Sequence, residues 1–133
     1  MLKNVAIVFC LIFCVSSCGS IRINHILTRG YYQIESVFLD SLISKDEVLV
    51  IGKVFDARTK YYCSNVVVKN LVDDKKMVSS DSLGNFKLFL KSEKIKLFFS
   101  HSGNSNLVTD TICLNGGSNL ELSIFLGSDV IFD

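Results

Sequence analysis

The chain has 133 residues, with 14 Lys or Arg against 13 Asp or Glu and a formal net charge of +1. A nucleic-acid binder needs a basic face to neutralise phosphates, and this balance argues against one. The 49% hydrophobic and 20% charged fractions exclude wholesale disorder and leave one modest domain as the expectation.

The first 17 residues hold thirteen apolar side chains and one charge, Lys3. Val5 to Val15 is an unbroken apolar run of eleven. A helix needs about 20 residues to cross a bilayer core, so this run is too short to span one. It has the length of a signal-peptide core, behind the short positive start Met1-Leu2-Lys3-Asn4. The run closes on Val15-Ser16-Ser17-Cys18.

That closing tetrad resembles the lipobox of bacterial lipoproteins: an aliphatic residue, two small residues, then cysteine. The resemblance implies removal of residues 1–17 and acylation of Cys18, on its thiol and then on the new amino group. Acyl chains would hold the mature protein to a membrane leaflet. Gly19 follows where an aspartate would resemble an inner-membrane retention signal, which implies the outer membrane. Residues 19–23 carry no acidic cluster of the kind that accompanies surface export, which implies the periplasmic face. An ordinary secretory signal, or an uncleaved anchor whose cysteine is incidental, is the alternative.

Residues 18–47 read as the lipidated cysteine and a tether. From Ile34 the spacing Ile34, Val37, Phe38, Leu42 fits a helical face, although residues 34–39 also read as an edge strand. A short helix or mixed structure is favoured.

Seven β-rich runs follow, at 48–55, 65–69, 76–80, 85–90, 94–99, 107–114 and 119–126. Phe86, Leu88 and Leu90 alternate with Lys87 and Lys91. Ile95, Leu97 and Phe99 oppose Lys94 and Lys96, and Leu120, Leu122, Ile124 and Leu126 oppose Glu121 and Ser123. One dry and one wet face per strand suits an antiparallel sandwich. Turn clusters at 73–75, 81–84, 102–105 and 115–118 separate the runs without any proline. Phe89, Phe98 and Phe125 fall off the inward register. They would line an exposed patch or pack beneath residues 31–43, and the second is favoured.

Ile51-Gly52-Lys53-Val54-Phe55-Asp56-Ala57, Asn65-Val66-Val67-Val68 and Asp81-Ser82-Leu83-Gly84-Asn85-Phe86 resemble the strand and hairpin motifs of carboxypeptidase-regulatory-like domains. The resemblance covers about residues 48–127 and implies an all-β, seven-stranded antiparallel β-sandwich of transthyretin (prealbumin) type, followed by a tail at 128–133. Tyr62-Cys63 stands where that family has Pro-Leu, and no aromatic follows Gly103. In the hairpin, Asp81 would accept loop amides, Gly84 would take a positive φ and Phe86 would enter the core.

No spacing for catalysis, cofactor or metal appears. His25 and His101 have no HxH, HExxH or CxxC partner, and Asp73 and Asp74 lack calcium-loop followers. The expectation is a non-enzymatic envelope lipoprotein that binds a protein or glycan. A spacer without a ligand, and a small transthyretin-fold hydrolase, are the alternatives. Cys63 and Cys113 would remain after lipidation, and a disulfide between them is open in an oxidising compartment.

Overall fold

A computed structural model describes residues 29–128. The expected signal segment, Cys18, His25 and residues 129–133 lie outside the described residues. Ten strands run in chain order: β1 Tyr31–Leu39, β2 Val48–Asp56, β3 Val67–Asn70, β4 Met77–Ser79, β5 Asn85–Leu90, β6 Lys94–Ile95, β7 Leu97–Ser100, β8 Leu107–Val108, β9 Ile112–Cys113 and β10 Ser118–Leu126. They form a four-stranded sheet A of order β1-β10-β2-β5, a four-stranded sheet B of order β4-β3-β7-β8, and a small pair β6-β9.

The expected set of seven antiparallel strands is corrected in three ways. First, β10 and β2 pair in parallel, Leu120 opposite Val50 and Ile124 opposite Val54. Both strands begin with three successive buried residues, Val48-Leu49-Val50 and Ser118-Asn119-Leu120. Burial on both faces is the usual condition of parallel strands.

Second, two expected runs each divide between sheets. The backbone of Lys96 leaves the ladder: its N–H donates to Asn70 Oδ1 at 3.0 Å and its carbonyl accepts from Leu71 N–H at 2.8 Å. Opposite it, Leu97 N–H donates to Thr109 Oγ1 at 3.0 Å, and Thr109 N–H to the Leu97 carbonyl at 2.9 Å. These bonds turn a corner, so one hairpin contributes β7-β8 to sheet B and β6-β9 beyond it.

Third, the segment expected as a helical or mixed tether supplies β1, so among the described residues the strands begin at Tyr31 and not at residue 48. It pairs antiparallel with β10, with a bulge between Ile34 and Ser36.

Sheets A and B close on one core. Val48, Val50 and Val54 of β2 and Leu120, Leu122, Ile124 and Leu126 of β10 point into it. From across the sandwich come Val68, Leu97 and Phe99. Full burial of one such side chain contributes about 1.5–3 kcal/mol. The Phe86 and Phe99 rings meet edge-on between the sheets, with centroids 5.6 Å apart. Phe86 also explains Gly52 opposite it: a Cβ there would sit 2.6 Å from the ring.

The β4–β5 turn is held by one carboxylate. Asp81 Oδ1 accepts from the N–H groups of Leu83 and Asn85, both at 2.9 Å. Gly84 has φ +78° and donates its own N–H to the Asp81 carbonyl. Its carbonyl in turn accepts from Val54 N–H at 2.8 Å, tying the turn to β2. A Cβ on Gly84 would meet the Val54 carbonyl oxygen at 2.5 Å.

Gly84→Val is therefore expected to destabilise the domain by on the order of 1–3 kcal/mol, through positive φ and backbone collision together. Ser82→Ala, in an exposed turn position, should stay within about 0.5 kcal/mol of the parent. Urea melts of the two variants check this, and coincident midpoints would contradict it.

Candidate functional site

Side chains on the outer face of sheet A are set by the cross-strand register. Tyr31 of β1 lies opposite Phe125 of β10, and Phe125 opposite Phe55 of β2. Phe55 makes an isolated bridge to Tyr62. Four rings from four chain segments thus form a row across the sheet. Tyr31 stacks on Phe125 at 4.6 Å and 10°, Phe125 on Phe55 at 5.2 Å and 17°, and Phe55 tilts against Tyr62 at 5.5 Å. The spacing matches the separation of neighbouring strands, about 4.8 Å.

Two lysines crown this row. Lys60 Nζ lies 4.8 Å from the Phe125 centroid and 3.2 Å from the Tyr31 hydroxyl oxygen, to which it donates. Lys53 Nζ lies 4.3 Å from the Tyr62 centroid. Beside the row runs a shallow groove of 430 Å³, bordered by Ile51, Lys53, Asn85, Glu121 and Ser123.

A second surface follows the free edge of β1. Ile34, Val37 and Phe38 are each about half exposed, Leu39 is 70% exposed and Leu42, in the next loop, 92%. The bulge at Glu35 makes Ile34 and Val37 share the inward side, opposite Leu122 and Leu120. Val37, Phe38 and Leu39 border a 410 Å³ groove whose far wall is Glu93, Lys94, Cys113 and Leu114. Ile34, Val37 and Leu39 thus lie on one side of the edge strand and Phe38 on the other, opposite Asn119.

The third feature is a polar chain at the end of β2. His101 Nδ1 is 2.7 Å from Asn104 Oδ1, and the buried Asn104 amide donates to Asp56 Oδ2 at 2.9 Å and to the Gly127 carbonyl at 3.0 Å. Asp56 Oδ1 accepts from the N–H groups of Arg58 and Thr59, both at 2.9 Å. Burial works against ionising Asp56, but the Thr59, Asn104 and Arg58 donors outweigh it and hold its carboxyl below the usual range. Oδ1 serves the turn and Oδ2 the Asn104 amide, so this chain braces the β2 end against the loop after β7.

The remaining residues of interest lie apart. Asp74 Oδ2 accepts from Lys91 N–H and Asp73 Oδ2 from the Ser92 hydroxyl, so these carboxylates pin the β3–β4 turn to the segment after β5. Among the described residues no three His, Cys, Asp or Glu side chains group to hold a metal. Phe125 packs on Tyr31, whereas Phe89 is exposed at the other end of the same face. Phe98 sits on the far side, in sheet B.

Cys63 and Cys113 are free thiols at opposite ends of the sandwich. Cys63 is buried beside Val54, where burial and then the charge of Asp56 push its thiol up. Cys113 is exposed on β9, facing Lys94 across the pair. The bridge left open by the sequence is not formed. Cys18 lies outside the described residues.

The chain matches no protein-family model and no curated protein. Among solved structures it is similar to 3-chlorocatechol 1,2-dioxygenase from Rhodococcus opacus 1CP. The identity is 13%, over 84% of this chain and 78% of that one, with a TM-score of 0.49. At that level the likeness carries no argument about activity.

Two outcomes follow from the site geometry. Maleimide should label Cys113 within the native state and Cys63 only on unfolding, since the thiolate is the nucleophile and Cys63 is both covered and raised. Equal labelling rates would contradict the placement. Asp56 has a folded pKa below its unfolded one, so its stabilisation is present above the unfolded pKa. It is lost as pH falls through the folded value. Asp56→Ala should flatten the acid limb of stability against pH and cost about 1.5–3 kcal/mol at neutral pH. An unchanged acid limb would contradict the assignment.

Proposed function

We propose that this chain is an envelope lipoprotein, acylated at Cys18 and held to the outer membrane with its domain facing the periplasm. In this reading the sandwich, transthyretin-like in the motifs at 51–57 and 81–86, is a non-enzymatic binding module for an envelope protein or glycan. The observation that carries the binding role is the apolar strip of Ile34, Val37, Phe38, Leu39 and Leu42 beside its groove. A spacer without a ligand would gain nothing from exposing such a strip on an edge strand, where it invites aggregation.

Two measurements test the reading. Intact mass spectrometry of the membrane-extracted protein should find no residues 1–17 and a lipid mass on Cys18; a soluble, unmodified mature chain would contradict the anchor. A photo-crosslinker at Leu39 should give one discrete adduct in intact envelopes, and one at Val108 of sheet B should not. No adduct, or the same adducts from both positions, would favour the spacer. A hydrolytic activity that survives purification and disappears in His101→Ala would overturn the non-enzymatic role.

A further inference from the structure

The ring row on sheet A is poorly built for a sugar. Stacking a pyranose needs an open aromatic face, and here Phe125 is stacked between Tyr31 and Phe55, at 10° and 17°, while Lys60 lies over Tyr31. Tyr62 is the half-exposed end of the row, and Lys53 lies over it. What remains outward is a ridge of ring edges and tyrosine hydroxyls crowned by two ammonium groups. Exposed Arg29 stands two residues before Tyr31, and exposed Arg58 lies in the turn that ends in Lys60. Two carboxylates stand against these four cations: Asp56, which stays ionised with the backbone N–H groups of Arg58 and Thr59 and the Asn104 amide bonded to it, and Glu121 on the groove beside the row. The ridge is therefore cationic on balance as well as aromatic.

That combination suits the interface of an anionic bilayer. Tyrosine rings settle at headgroup level with their hydroxyls toward water, and lysines and arginines meet lipid phosphates. The position of the row says which bilayer. Tyr31 is both its first ring and the start of β1, and Cys18 lies eleven residues before Arg29. Fully extended, that length reaches at most about 40 Å. We propose that the Tyr31–Phe125–Phe55–Tyr62 row, with Lys53 and Lys60, docks on the anionic phospholipid headgroups of the leaflet that holds the anchor. The proposal rests on the lipid-anchored reading for the presence of that leaflet. Docking here would lay sheet A against the membrane and orient the β1 strip along its rim.

The test separates docking from acylation. The described strands and core run from Tyr31 to Leu126, and a chain that starts at residue 19 contains all of them; its circular dichroism and melt are recorded first. This chain is sedimented with vesicles of phosphatidylcholine and phosphatidylglycerol in equal parts, and with vesicles of phosphatidylcholine alone. Binding to the anionic vesicles, falling with salt, is expected. Lys53→Glu with Lys60→Glu should weaken it at least tenfold. Lys69→Glu with Lys76→Glu, an equal charge change on β3 and just before β4, should leave it within about threefold. Should the first pair melt early, Lys53→Gln with Lys60→Gln serves in its place. No binding to anionic vesicles, or equal loss in both charge-reversed pairs, overturns the proposal. So does binding to isolated peptidoglycan in preference to vesicles, lost in Lys53→Glu with Lys60→Glu. A lipid mass on Cys18 with no vesicle binding would leave the anchor standing and the docking surface refuted.

Discussion

Burial of the parallel pair β2 and β10 is the constraint on which the other elements depend. Seven of their inward side chains, from Val48 to Leu126, lie in one core cluster. These two strands enclose the rest of the domain in sequence: everything from residue 57 to 117 is the connection between them. A parallel pair cannot be closed by a hairpin, so the chain must build sheet B and β5 on the way. The remaining strands then take the only sides left. β5 pairs with the free edge of β2, and β1 with the free edge of β10.

That arrangement divides sheet A by function. Its inner face is spent on the core. Among the described residues no second layer of strands covers its outer face; Leu49 and Asn119 are buried there, while Tyr62 and Phe89 are open to solvent. At one end the register assembles rings and lysines. Along the β1 edge, the inward side reaches past sheet B, and Ile34, Val37 and Leu39 are left half covered or bare. The bulge at Glu35 is the kind of edge irregularity that discourages uncontrolled strand addition. Under the proposed docking, the ridge would face the membrane and the rim strip would be the edge left to a partner.

The legibility of all this from the residues was uneven, for physical reasons. Period-two alternation was readable in β5 and β10, where Phe86, Leu88 and Leu90 and Leu120 to Leu126 all go inward. β1 was not readable, because its bulge adds one residue between inward positions. Ile34 and Val37 therefore stand three apart, which mimics a helical face. The division of 94–99 and 107–114 between sheets depends on where the backbone of Lys96 finds partners, which no side-chain pattern encodes. Parallel pairing is a property of topology, although the doubly buried starts of β2 and β10 were a trace of it. The ring row draws on four separated segments, and its one linear signal was Phe125 standing off the inward register. Asp56 and Asp81 both hold turns by accepting two backbone N–H groups on one oxygen. Only Asp81 announced this, by its short spacing to Gly84.

Native-state amide hydrogen exchange, followed residue by residue, tests the central claim most directly. If the β2–β10 pair is the spine, amides of Val50, Val54, Leu122 and Ile124 should exchange slowest and only through global unfolding. Those of Val37, Phe38 and Leu39 on the free edge should open locally and exchange far sooner. Protection in β1 equal to that in β2 would contradict the account, because the edge strip would then be covered structure and not a surface held open for a partner.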